Sequence, residues 1–334
     1  MSDDRKKDHI DLTISSRPNE QFDLGRLHYE PLFGVHPNPA SHLSKKFLAH
    51  EFSIPLWVSS MTGGTQRAMK INQNLARACK DFGTGMGLGS CRHLLHDQAR
   101  FDDFNIKPLM GDAPLYTNFG IAQIEQLLID KKISRLNTVT QSLKADGIIF
   151  HVNPLQEWVQ PEGDKYIRPA IETITQALPL MDYPVIVKEV GQGFGPNSLK
   201  SLMSMPLAAI ELAGFGGTNF TILEQARLTG VNSSKSLLKN EFGMIGHDAQ
   251  QMIEWLNELN LCDCSCKEVI ISGGIQSGLQ GHALMSQLKF SSIFGMASTL
   301  LQYAQGEYQV LYDYMEQLKE SLLVANSFLG EKSE

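Results

Sequence analysis

The stretch Glu268-Val-Ile-Ile-Ser-Gly-Gly-Ile275, a helical segment over 278–287, and Ser291-Ser-Ile-Phe-Gly-Met-Ala-Ser298 together make one strand–helix–strand unit. Both apolar runs are short and continuous instead of alternating, as strands covered on both faces require. The segment between them is long enough for a parallel crossover. Each run stops at glycine and small polar residues, the usual punctuation of a strand end. The same rhythm continues toward the start of the chain, where further apolar runs at 54–61, 83–88, 114–119, 147–153, 184–190 and 208–213 precede the pair at 268–272 and 291–296. Helical stretches are expected at 68–82, where Ile71, Leu75, Ala78 and Cys79 share a face, and at 122–129, 167–177, 196–203 and 247–259. Eight such units close into a single (β/α)8 barrel of the α/β class, with its active site at the carboxyl ends of the strands. A doubly wound open sheet would want a glycine-rich turn after the first strand and an acidic residue roughly 20 positions on. Met61-Thr-Gly-Gly64 is too short a match.

Two stretches stand outside the repeat. Residues 1–53, with early basic residues and then Pro31, Pro37 and Pro39, are expected to form an N-terminal extension on a barrel spanning 54–334. Residues 228–246 form a loop insertion after the sixth strand, for which a functional lid and a plain surface excursion both fit.

Composition narrows the function classes. With 42% hydrophobic and 19% charged residues the chain reads as a well-packed enzyme. A net charge of −7 argues against a nucleic-acid-binding face but leaves room for a local anion site. Residues 1–8 are polar, with no apolar core of a secretory signal, and no run approaches the roughly 20 apolar residues of a membrane span. A cytoplasmic protein with no membrane partner is therefore expected. The five cysteines agree, since an odd count without a secretory signal favours free thiols. Cys262, Cys264 and Cys266 have C-x-C-x-C spacing, unlike the paired C-x2-C of a zinc site.

The chemistry collects at the strand ends. The glycine turns after strands seven and eight, Gly273-Gly274 and Gly295-Met-Ala297, occupy the usual phosphate cradle of a barrel. There glycine lets backbone N–H groups approach an anion and a short helix adds its dipole. Lys188, at the end of strand five, could form a Schiff base or hold positive charge beside a cofactor ring. A plain ion pair with Glu189 is disfavoured, because adjacent strand residues face opposite sides. On strand four, alternation puts His151 and Asn153 on one face, with Gln156 and Glu157 just beyond, as a platform for a polar substrate. Glu157 is a candidate Mg²⁺ ligand if that substrate is phosphorylated. No Asp/Glu pair and no Cys/His dyad is expected to converge at the rim. Arg5-Lys6-Lys7, taken by itself, reads as a solvated tail.

These pieces resemble a known family, the type 2 isopentenyl diphosphate isomerases, which are flavin-dependent barrels. The resemblance runs from Arg5 to about Leu301 and rests on Arg5-Lys6 with Asp8-His9, Ser60-Met-Thr-Gly-Gly64, Gly89-Ser-Cys-Arg92, Asn118-Phe-Gly120 and His151-Val-Asn-Pro-Leu-Gln-Glu157. Gln160-Pro-Glu-Gly163, Val187-Lys-Glu-Val-Gly191, Gly216-Gly-Thr218 and Ser272-Gly-Gly-Ile275 complete it. The string from His151 to Glu157 running into Gln160-Pro-Glu-Gly163 is highly specific, whereas Ser-Gly-Gly-Ile occurs across many flavin barrels.

The resemblance implies that FMN contacts Ser60, Met61, Thr62, Ser90, Asn118, Lys188 and Thr218. It puts the cofactor's phosphate on Gly273, Gly274, Ala297 and Ser298. It makes Lys188 the cation near the flavin and not a Schiff base. It implies a diphosphate substrate held by Arg5, Lys6, Arg92, His151 and Asn153, with Gln156 near the reacting carbons, His151 and Gln156 as the catalytic pair, and Glu157 on Mg²⁺. The implied reaction turns isopentenyl diphosphate into dimethylallyl diphosphate by an allylic proton shift, with reduced FMN supplied through NADPH. A homo-oligomer, tetramer or octamer, is implied as well. Departures from the commoner pattern include Cys91 in place of Gln, Phe220 in place of Trp, and the segments 241–245 and 287–290. They bear on loop geometry more than on chemistry. Two rivals share the barrel: an FMN oxidase of 2-hydroxy acids and a non-catalytic flavin-binding protein. The oxidase would want a catalytic His and an Arg near strand seven, which 266–275 lacks.

Overall fold

Leu56, Trp57 and Val58 are all buried, the mark of a strand with both faces covered. In the computed structural model, which describes residues 8, 12, 13, 16, 21–38, 41–61, 66–227 and 241–331, they form the first of eight parallel strands closed into a ring. The strands are β1 (Leu56–Val58), β2 (Gly85–Gly87), β3 (Leu115–Gly120), β4 (Gly147–His151), β5 (Val185–Lys188), β6 (Ala209–Glu211), β7 (Glu268–Ser272) and β8 (Ser291–Met296). Neighbours in sequence are neighbours in space, and pairing of Phe294 with Leu56 closes the ring between β8 and β1. All eight expected runs are strands. Some are shorter than their apolar windows, and single backbone bonds such as Ser59 N–H to Met296 O, 2.9 Å, continue the ladder past the regular part.

Alternation divides the strand residues into two cores. Residues facing outward, such as Val58, Ile148, Val187 and Phe294, pack under the helices. Residues facing inward, Trp57, Tyr116, Ile149, Ile186, Ala209, Ile270 and Ile293, fill the barrel together with Phe47 and Phe52. Those two phenylalanines come from an antiparallel hairpin, Lys45–Phe47 with His50–Phe52, fastened to β7 where Leu48 N–H donates to Glu268 Oε2 at 2.8 Å. This part of the chain before residue 54 thus supplies the floor of the barrel. Small residues make room for the large ones: a Cβ on Gly85 would overlap the Trp57 ring, and one on Gly147 would overlap the Tyr116 ring.

The expected helices form as Gln66–Phe82, Ile121–Ile129, Ala170–Ala177, Pro196–Met203, Ala249–Glu258 and Gly278–Gln287. The third begins later than expected because Pro169 disfavours helical geometry at Arg168 before it. Asp248 and Gln251 form a reciprocal capping box at the fifth, and Ser277 caps the sixth through the Gln280 N–H. Helices at Arg135–Ser142, Pro154–Val159, Phe220–Arg227 and Tyr308–Phe328 add to the expected set. The short strands Leu27–Tyr29 and Leu329–Glu331 pair antiparallel. No helix among the described residues is long and apolar enough to cross a membrane. The expected insertion falls mostly on 228–240, outside the described residues.

The fit around Tyr116 has a measurable cost when disturbed. Gly147→Ala is expected to destabilise the fold by about 1–3 kcal/mol through overpacking. The measurement is a lowered urea midpoint with an unchanged slope.

Candidate active site

Two positions beyond each inward-facing residue of the filled barrel, alternation brings one residue from every strand to the mouth. They are Ser59, Gly87, Asn118, His151, Lys188, Glu211, Ser272 and Gly295. A polar ring thus lies directly on an apolar plug.

On the late-strand side the ring opens into a cavity of about 630 Å³, a size suited to a mononucleotide-sized ligand. Lys188, Glu211 and Ser272 line it together with Ser60, Met61, Thr218, Ala297 and Ser298. Its far wall is the Gly273-Gly274 turn, with φ of 112° and 74°. Only glycine adopts those angles without strain, and a Cβ on Gly273 would run into the Gly214 backbone. Three buried polar atoms, Ser59 Oγ, Ser60 Oγ and Glu211 Oε2, have no hydrogen-bond partner among the described residues. Orphaned buried atoms of this kind are expected where a polar ligand binds. Lys188 Nζ donates to the Glu189 carbonyl at 2.6 Å, while the Glu189 carboxylate accepts the N–H groups of Gln192 and Gly193. Alternation therefore separates the two side chains as expected, and burial raises the Glu189 carboxyl above its usual range.

The other side of the mouth carries two hydrogen-bonded groups, one around the His151 imidazole and one around the Asn153 amide. Asn118 Nδ2 donates to Leu88 O at 3.0 Å, so its oxygen faces His151 Nδ1 at 2.8 Å. This arrangement puts the hydrogen on Nδ1 and leaves the Nε2 lone pair free. Burial, followed by the Lys188 and Arg92 charges, lowers the His151 pKa to about 3. The ring is neutral near pH 7. Strand β4 stops at His151, so Asn153 is brought in by the turn that starts helix Pro154–Val159 and not by strand alternation, as the sequence had suggested. Asn153 Nδ2 donates to Gln156 Oε1 and Glu157 Oε1, both at 3.0 Å. Glu157 Oε2 accepts the Asp164 N–H at 2.7 Å, and burial raises this carboxyl above its usual range. Gln156 Nε2 reaches Glu224 Oε1 at 3.4 Å, and Arg227 pairs with Glu224 Oε2 at 2.6 Å. Arg92 lies 3.7 Å from Asp164.

One expectation is corrected here. Two buried carboxylates, Glu157 and Glu224, do converge on either side of Gln156. Glu224 lies on helix Phe220–Arg227, far from Gln156 in sequence, and no local spacing announces it. Glu211 was missed too, although strand alternation with Ala209 would have turned it inward. Ser90 and Asn118 lie outside the lining of the late-strand cavity. Arg5, Lys6 and Thr62 lie outside the described residues. Among the described residues no group of three or more His, Cys, Asp or Glu could hold a metal ion. The five cysteines are free.

Curated relatives decide the family. An isopentenyl-diphosphate delta-isomerase of Rickettsia prowazekii (strain Madrid E) is 32% identical over 331 residues, covering 97% of this chain and 94% of the relative. One of Rickettsia rickettsii (strain Sheila Smith) is 30% identical over 335 residues, with the same coverage. The chain belongs to the isopentenyl-diphosphate delta-isomerase family. It is an enzyme of the isomerase class. No family model matches the sequence. Among solved structures, a mandelate oxidase variant with a monooxide FMN adduct superposes with a TM-score of 0.56 at 13% identity, covering 93% of this chain and 89% of that one. A flavocytochrome b2 double mutant with pyruvate gives 0.59 at 12%, covering 90% and 72%. These two share the barrel fold. Family likeness over nearly the whole chain takes in both sides of the mouth.

The depressed His151 makes stability depend on pH. Its folded pKa lies below the ordinary 6.5, so unfolding takes up a proton between 6.5 and about 3. Stability attributable to this group is therefore lost as pH falls through that window. Glu157 and Glu189, raised by burial, act in the opposite sense. The informative comparison is of thermal midpoints for the unaltered protein and His151→Gln, whose profile is expected to fall less steeply below about pH 6.5.

Proposed function

We propose that this enzyme converts isopentenyl diphosphate to dimethylallyl diphosphate as a type 2 isomerase, with reduced FMN in the late-strand cavity. The observation carrying this reading is that one mouth joins two unlike halves. One is a glycine-walled cavity with a buried lysine, and the other holds two hydrogen-bonded groups, Asn118 with His151 and Asn153 with Gln156, Glu157 and Glu224.

The residues of the cavity fit FMN. The Gly273-Gly274 turn and the Ala297-Ser298 start of a helix would hold its phosphate through backbone N–H groups. Thr218, Met61 and the unpartnered Ser60 hydroxyl would meet its polar edge, with Thr62, Ser90 and Asn118 joining by family resemblance. Lys188 would place positive charge beside the ring. When bound and reduced, FMN supplies proton-carrying nitrogens next to the substrate, with NADPH as the expected source of reduction.

The chain's own residues do the rest. Asn153, buried and holding both Gln156 and Glu157, fixes the orientation of the Gln156 amide toward the reacting carbons. Neutral His151, oriented by Asn118, presents Nε2 to the substrate. Arg92, with Arg5 and Lys6 from the start of the chain, would balance the diphosphate charge. A single carboxylate at Glu157 suits a Mg²⁺ that arrives with the diphosphate and takes most of its ligands from phosphate oxygens and water. A cytoplasmic homo-oligomer, tetramer or octamer, belongs to the same reading, as does an N-terminal segment of 1–53 that helps clamp the substrate.

Oxidation of a 2-hydroxy acid is less well supported: among the described residues no His or Arg lines the late-strand cavity. Anaerobic incubation with FMN, NADPH, Mg²⁺ and isopentenyl diphosphate should yield the allylic isomer by NMR. Absence of turnover with fully reduced flavin bound would overturn the isomerase reading. Gln156→Asn shifts the amide by one methylene and is expected to lower turnover by about 100-fold, while the yellow FMN absorbance stays with the protein. Loss of the flavin would instead assign Gln156 to the cofactor.

A further inference from the structure

Lys188 and Glu211 are the only two charged side chains among the described residues that line the late-strand cavity. They are register partners on the adjacent strands β5 and β6, and both face the mouth. Both are buried: Lys188 is 4% exposed and Glu211 0%. Ser272 Oγ donates to Glu211 Oε1 at 3.2 Å, and Oε2 has no partner among the described residues. The Lys188 ammonium donates to the Glu189 carbonyl, and Glu211 is its register partner on the neighbouring strand.

A buried charge is costly unless another balances it, and between buried groups its field reaches several ångströms with little screening. A serine hydroxyl alone does not require a carboxylate in the barrel, since a neutral amide would accept the same bond. A carboxylate at this position can balance the lysine beside it, which a neutral amide could not.

We propose that Glu211 is a positioning residue that counter-charges Lys188 and thereby sets the reduction potential of the bound FMN. The inference rests on the FMN reading above. Lys188 alone favours the anionic reduced ring, and Glu211 offsets part of that preference. The pair holds the potential lower than the lysine by itself would.

The test is a dithionite titration of the FMN-loaded full chain against a reference dye, with FMN affinity measured for the oxidised and reduced forms. Glu211→Gln keeps the shape and the bond from Ser272 but removes the charge. It is expected to raise the ratio of reduced to oxidised affinity about tenfold, an upward shift of about 30 mV for a two-electron couple. Glu211→Asp keeps the charge with a shorter reach and is expected to shift the potential the same way by less, which also covers the case of poor folding in the first variant. An unmoved or lowered potential in both variants, with FMN bound, overturns this inference and leaves the cofactor reading standing. Failure of the unaltered protein to bind FMN overturns both.

Discussion

Trp57 and Tyr116 meet edge to face inside the barrel, with ring centroids 5.6 Å apart, and everything at the mouth stands on that contact. The strands can close around two such large side chains only because Gly85 and Gly147 offer no side chain in return. Phe47 and Phe52 seal the lower end, themselves edge to face at 6.0 Å. The interior is therefore a solid apolar support and not a channel. Polar groups set upon it have no water beneath them. His151, which belongs to this ring, stays neutral, with burial the leading cause.

Above the plug, the two halves of the site are held by different means. The cavity wall is backbone, shaped by glycine angles and close approach between loops. The opposite half is side chain, a relay of hydrogen bonds from Leu88 through Asn118 to His151, and another from Asp164 through Glu157 and Asn153 to Gln156 and Glu224. A backbone wall suits a phosphate, which asks for N–H groups and little else. A relay suits a reacting centre, where the direction of each amide matters.

Much of this was readable in the residues. Continuous apolar runs gave all eight strands, because burial on both faces leaves no other composition open to them. The Gly273-Gly274 turn and Lys188 could be placed on the mouth from strand position alone. The floor hairpin was not visible: Phe47 and Phe52 are two aromatics in an unremarkable stretch, and only closure of the ring shows what they fill. Glu224 was hidden for a related reason, since its partner Gln156 is 68 residues away. Asn153 illustrates a third kind of miss. Strand alternation predicted the right neighbourhood, but the strand ends at His151 and a turn carries the residue in.

The mouth draws a single residue from each of eight strands, and each strand is anchored by its own outward apolar face. The chemical groups are thus separately mounted. Exchanging one alters a local property, such as charge, hydrogen-bond direction or space, while the backbone of its neighbours is held by packing elsewhere. A scaffold of this kind can trade its chemistry one position at a time without renegotiating its fold. That the same barrel superposes on proteins only 12–13% identical in sequence is the expected outcome of such independence.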